Sequence, residues 1–161
     1  VPTYAAGTST NSSASRAEIE HDLERFGATA FQYGWDSDRR RAEITFRIGG
    51  RAVQMTMALP ARDHPDVIWT PARRRQRSAE GQAEAYEQLT RQRWRALALG
   101  IKAKLALVEA GITTLEQEFL ANVLLPGGQS VGSWVAPVVE RAYELDAAPM
   151  PALLPRPESD D

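Results

Sequence analysis

The stretch "RAEITFRIGGRAVQMTMAL", Arg41 to Leu59, decides the fold. Two runs of period two flank a Gly-Gly pair. In the first, Ala42, Ile44, Phe46 and Ile48 point one way, with Glu43, Thr45 and Arg47 opposite. In the second, Val53, Met55, Met57 and Leu59 alternate with Gln54, Thr56 and Ala58. Successive side chains of a strand face opposite sides, so each run has one apolar face. Gly49-Gly50 suits a two-residue hairpin, because the turns that match strand twist need positive φ. Upstream, "ATAFQYGW" at 28–35 alternates Phe31, Tyr33 and Trp35, and "DSD" at 36–38 supplies a turn. The pattern predicts a three-stranded antiparallel meander with one apolar face.

Helical signals lie on both sides. In "SRAEIEHDLERF", Ser15 to Phe26, Ile19, Leu23 and Phe26 share a face. Ser15 is a suitable N-cap with Glu18 completing a capping box, and Gly27 is the stop. Pro60 to Ser78 has three prolines and no period, so it predicts a loop. A connection of that length is often functional or mobile. A long helix is expected from Ala79 to Ala110, ended by Gly111 and weakened at Gly100 by about 1 kcal/mol relative to Ala. Thr113 with Glu116 predicts a second capping box. "LLPGGQSVGSWV" suggests a turn or short hairpin around Pro126-Gly127-Gly128, and "APVVERAYEL" a last helix with Pro137 in its first turn. The expected class is α+β: a three-stranded antiparallel meander packed on a long central helix, with additional C-terminal helices and a short hairpin. Residues 1–14 are expected to be a disordered leader, 15–147 a single domain, and 148–161 a proline-rich acidic tail.

The centre of the long helix is "RQRWRALALGIKAKL", Arg91 to Leu105. At 100° per residue, Trp94, Leu97, Ile101, Leu105 and Val108 form a core stripe. Arg91, Arg95 and Lys102 form one basic strip beside it, and Arg93 and Lys104 another. Opposite the core stripe lie Ala96, Leu99, Ala103, Ala106 and Leu107. The helix therefore has two apolar faces. One is expected against the meander, the other against later helices or a second subunit.

The 161 residues include no cysteine. Disulfides, thiol catalysis and Cys-ligated zinc are thereby excluded, and the composition suits a reducing cytoplasm. No apolar run approaches about 18 residues, so no membrane span is expected. The start, "VPTYAAGTSTNSSAS", lacks the charged and apolar regions of a secretory signal. Charge is unevenly spread. Residues 39–104 carry fifteen basic and six acidic groups, while both flanks are acidic. Such asymmetry favours a polyanionic partner, unless the acidic flanks fold back over the basic middle.

Catalytic signals are scarce. There is no phosphate-binding glycine loop and no G-x-S-x-G motif. His64 between Asp63 and Asp66, and the pair Asp36 and Asp38, could hold a metal, but loop polarity and turn formation account for both. No enzyme activity, cofactor or metal is expected.

Three arginine-rich clusters point instead to nucleic acid: Arg39, Arg40 and Arg41; Arg73, Arg74, Arg75 and Arg77; and the strip Arg91, Arg95, Lys102. Arginine forks match phosphate geometry and stack on bases. Tyr33 and Trp35 precede the first cluster and could stack on single-stranded bases, or could simply complete the apolar face of their strand.

The stretch "RQRWRALALGIKAKLALVEAGITTLEQEFLANVLLPGGQSVG", with "RAEIEHDLERFGATAFQYGWD" near the start and "MPALLP" near the end, resembles a group of small bacteriophage and prophage proteins of GC-rich bacteria. The resemblance covers most of residues 15 to 154 and implies the cytoplasm of an infected host. The order of three strands and a long helix is similar in topology to Rad52-type single-strand annealing proteins. The sequence leads to two expectations. One is a homo-oligomeric protein that binds single-stranded DNA in phage recombination or replication. The other is a non-enzymatic interaction or assembly module, an adaptor or host-takeover protein, with the long helix at a protein interface.

Overall fold

The computed structural model describes residues 12–72 and 75–144. The expected leader and tail lie largely outside these residues, as do Arg73 and Arg74. The order is α1 (Ser13–Arg25), β1 (Ala30–Asp36), β2 (Arg41–Ile48), β3 (Arg51–Ala58), α2 (Pro65–Ile68), α3 (Ala79–Glu109), α4 (Leu115–Phe119), a 3₁₀ turn (Leu120–Asn122) and α5 (Val131–Glu144). This is the α+β meander with a long central helix.

The sheet is antiparallel in the order β1-β2-β3. Phe31 lies opposite Phe46, and Phe46 opposite Val53. That register places the three apolar alternations on one face. Gly49 and Gly50 adopt φ of 57° and 75°, as the tight turn between β2 and β3 demands. The β1–β2 turn costs more, because Arg40, not a glycine, takes a positive φ of 49°. Asp36 Oδ1 accepts from the Arg39 backbone N–H at 2.9 Å, so this aspartate is a turn former.

The core joins this face to α3 and α1. Ile44, Phe46 and Val53 from the sheet, Trp94, Ala98, Ile101 and Leu105 from α3, Ile19 and Leu23 from α1, and Phe119 from α4 are all buried. Each large side chain removed from water contributes about 1.5–3 kcal/mol, and the contacts here are ring against ring. Phe46 meets Phe119 edge-on at 5.6 Å, and Tyr33 meets Trp94 edge-on at 6.1 Å. Leu97 and Val108 lie at the edge of the core stripe, whose centre includes Ala98. The packing of α1 along α3 closes that side.

Several boundaries differ from the sequence expectation, each for a physical reason. Helix α1 starts at Ser13, with Ser12 at the N-cap, so Ser15 lies inside it. The Ile19–Leu23 spacing fixes the phase of a helix and not its first residue. Glu18 does not cap. It pairs with Arg95 and Lys102 of α3. The second capping box is Thr114 with Gln117, one residue beyond Thr113 and Glu116. That shift leaves Glu116 for Arg51 and Glu118 for Lys104.

The long connection is more ordered than a plain loop. Val67 of α2 is buried, and His64 Nδ1 accepts from the Asp66 N–H at 3.2 Å, which is a helix cap. Beyond it, Trp69 bridges Gln76 and the Arg77 N–H bonds Ile68 O at 2.8 Å, closing a small loop. The turn at Pro126-Gly127-Gly128 is a short hairpin, with Leu124 bridging Ser130. Helix α5 begins at Val131, five residues before the expected start. Ser130 Oγ accepts from the Ser133 N–H at 3.2 Å, so this serine, invisible to a search for a proline start, is the cap. Pro137 consequently lies inside the helix.

Candidate functional site

The three arginine clusters reach the surface in different ways. Arg39, Arg40 and Arg41 ring the β1–β2 turn. Arg39 pairs with Asp36 at 3.5 Å and Arg41 lies 3.9 Å from Glu43. Arg75 is exposed, and Arg77 donates from Nε to Trp69 O at 3.1 Å. On α3, Arg95 and Lys102 both reach Glu18, Lys102 at 3.6 Å. Across the core stripe, Arg93 donates to Ala58 O and Lys104 to Glu118 Oε2 at 3.1 Å. Among the described residues, Arg40, Arg75 and Arg91 make no ion pair.

The acidic flanks therefore do fold back. Glu18 from one flank, and Glu116 and Glu118 from the other, pair with Arg51, Arg95, Lys102 and Lys104 of the basic middle. Exposed pairs of this kind contribute about 0–1 kcal/mol each to stability. They matter more for the field, since each cancels charge that a phosphate chain would otherwise meet. Glu118 is the most enclosed carboxylate of these pairs. The Thr113 hydroxyl beside it, and then the Lys104 ammonium, hold its carboxyl below the usual range.

The two aromatic candidates separate sharply. The Tyr33 hydroxyl donates to Arg16 O at 2.7 Å, and its ring lies between Phe31 at 4.6 Å and the Arg16 guanidinium at 5.3 Å. Burial pushes its ionisation well above the ordinary tyrosine value, with Glu20 adding to the shift and Arg16 opposing it. Tyr33 is a packing residue that joins β1 to α1. Trp35 is 66% exposed, on the same strand and next to the arginine turn.

The apolar surface is the larger feature. Ala96, Leu99, Gly100, Ala103, Ala106 and Leu107 of α3 are all exposed, Leu99 by 50%. This is the second apolar face read from the sequence, and the later helices leave it bare. A Cβ built on Gly100 meets nothing within 4 Å. Helix α5 is the second apolar surface. None of its residues is buried, and it packs on the 3₁₀ turn through its first residues. A Cβ on Gly132 would stand 2.9 Å from Ala121 O, so the close approach there needs glycine. Beyond that seat, Trp134, Val138, Val139 and Tyr143 are exposed. Counting from Pro137 hid this face; a helical wheel drawn from Val131 would have displayed it.

A small cavity of about 60 Å³ lies between the Gly-Gly turn and α4, lined by Ile48, Arg51, Val53, Leu115 and Phe119. Its lining is mainly apolar, and its two charged residues, Arg51 and Glu116, pair with each other. Among the described residues no cluster of three His, Asp or Glu could hold a metal, and no helix is long and apolar enough to cross a membrane. No protein-family model, no curated protein and no solved structure matches the chain.

Proposed function

We propose that this chain is a non-enzymatic interaction or assembly module of a bacteriophage or prophage, working in the cytoplasm of the infected host. The outward face of α3 is its protein interface. The carrying observation is that face itself: a stripe from Ala96 to Leu107, apolar and exposed along three turns of the central helix. Scattered exposed apolar residues are ordinary, but contiguous patches mark binding surfaces. Small residues let another helix approach closely, and the flanking Arg and Lys rows supply a polar rim. Light scattering and pull-downs from host lysate, with wild type and Leu99→Glu, test this function. The wild type should enter an assembly that Leu99→Glu disrupts. A wild type that stays monomeric, and retains nothing that Leu99→Glu loses, overturns it.

Trp35 favours a second function, binding of single-stranded DNA. An exposed indole beside Arg39 and Arg40 combines a stacking platform with phosphate donors. Arg75 and Arg91, without ion pairs of their own, could extend the contact. Binding should then weaken steeply as salt rises. Mobility shifts with single- and double-stranded oligonucleotides at low salt test it, and their absence ends it.

A further inference from the structure

We infer that the outer edge of β1 pairs with β1 of a second copy of this chain, antiparallel and centred on Tyr33, so that two sheets join as one of six strands. This surface is separate from the outward face of α3.

The register fixes which backbone groups each sheet edge offers. The Leu59 N–H bonds Arg40 O, so these two residues form a hydrogen-bonded pair next to Arg41 and Ala58. Such pairs alternate with non-hydrogen-bonded ones along an antiparallel ladder. The even-numbered residues of β2 therefore bond β3, and the odd-numbered ones bond Ala30, Gln32, Gly34 and Asp36 of β1. On β3 the groups that point away from β2 belong to Ala52, Gln54, Thr56 and Ala58. The chain covers most of that edge itself. Ala52 O accepts from the Leu124 N–H at 2.8 Å, Gln54 O from Asn122 Nδ2 at 3.3 Å, and Ala58 O from Arg93. On β1 the outward groups belong to Phe31, Tyr33 and Trp35. Among the described residues no hydrogen bond reaches their N–H or C=O groups. Three open donors alternating with three open acceptors fit one chemical class of partner, another β-strand.

The sequence of β1, AFQYGWD, complements itself. With Tyr33 on the two-fold axis, Phe31 stands opposite Trp35 of the second copy, Gln32 opposite Gly34, and Ala30 opposite Asp36. No like charges face each other along the paired strands, and the aromatic residues meet on one face. Trp35, 66% exposed in a single chain, is thereby covered by the half-buried Phe31 of the second copy. Edge strands that avoid pairing carry proline or basic residues, and β1 has neither. Helix α1 lies in the core layer, with Ile19 and Leu23 against Ile44 and Phe46, and so leaves the plane of the edge open. Near the axis each copy adds one cation, Arg16, and one anion, Glu20, both within range of Tyr33, so charge there is balanced. Because the β3 edge is capped within the chain, pairing through β1 closes at two copies and does not run on into a fibre. Seven residues a side make a small contact, so dilute protein is monomeric and the dimer forms as concentration rises.

Light scattering of the full chain over a concentration series should rise from 17.8 kDa to twice that mass. Trp35→Pro removes an outward N–H and no hydrogen bond within the sheet, so it should stay folded by circular dichroism and remain monomeric throughout. Leu99→Glu, on the α3 face, should still dimerise. The chain has no cysteine, so introduced ones report the register. Gln32 and Gly34 would face each other as a non-hydrogen-bonded pair with Cα atoms about 4.5 Å apart, within disulfide reach. A Cβ at Gly34 meets the flexible Glu43 side chain at 3.2 Å, which can give way. Gln32→Cys and Gly34→Cys should cross-link when mixed and oxidised, and neither should cross-link alone. Cross-linking of either variant alone overturns the pairing centred on Tyr33. A dimer that survives Trp35→Pro and is lost in Leu99→Glu overturns the β1 contact and leaves the α3 face as the interface. A monomeric wild type at every concentration overturns the self-association, and the Leu99→Glu pull-down then decides separately whether α3 binds another protein.

Discussion

Replacing Tyr33 with Phe removes a hydroxyl and keeps the ring. That hydroxyl donates to Arg16 O at 2.7 Å, a bond that ties β1 to the first turn of α1. A neutral hydrogen bond of this kind contributes about 0.5–1.5 kcal/mol net, so Tyr33→Phe should cost about 1 kcal/mol at neutral pH. The pH dependence makes the prediction specific. Burial, and then Glu20, raise the folded-state ionisation above the unfolded value of 10.0. The neutral phenol is thus favoured by folding. Its contribution is intact below 10.0 and is lost as pH rises above it, where the unfolded chain releases the proton first. One proton corresponds to at most about 1.4 kcal/mol per pH unit, and the partly exposed ring will show less because solvent screens it. Tyr86 and Tyr143 are present in both proteins and cancel in the comparison. Urea denaturation followed by circular dichroism, at neutral pH and in steps above 10.0, measures both quantities. Wild type should lose stability faster than Tyr33→Phe in the alkaline range. Equal alkaline slopes, or no loss at neutral pH, would refute the reading of Tyr33 as a packing residue.

Other expectations follow from the same contacts. Ile101→Ala opens a void where α3 meets the core and should cost about 2–5 kcal/mol in urea denaturation, whereas Trp35→Ala on the surface should stay within about 0.5 kcal/mol. Gly50→Ala meets no neighbouring atom but must hold φ at 75°, so a melting curve should show a loss of about 1–2 kcal/mol from the backbone alone. The lowered Glu118 carboxyl stabilises the fold above 4.5, its ordinary value, and that stabilisation is lost as pH falls below it. Lys104→Met removes one of the groups that lower it, so acid titration of the variant should show a shallower decline between 4.5 and the acid limit.

Local chemistry made much of this molecule legible from sequence. Strand periodicity and Gly49-Gly50 determined the meander and its register, because a one-residue slip would turn every apolar side chain to water. The period of α3 determined both its faces, and the wheel placed Arg95 and Lys102 on one strip. Tertiary structure decided what those groups meet. No local rule could pair Glu18 with Arg95, 77 residues away, or take Glu18 out of a capping box to do so. Helix starts with rival candidates, Ser12 against Ser15 and Thr114 against Thr113, carry no signal in the apolar spacing, which sets a helix's phase and not its first residue. Tyr33 and Trp35 read alike as alternating aromatics on β1. Only the position of α1, whose Arg16 reaches the Tyr33 ring, separates the enclosed one from the exposed one. The sequence determined that α3 has two apolar faces; the arrangement of the other helices decided that one of them stays open, since the sheet, α1 and α4 all gather on the side of Trp94, Ile101 and Leu105.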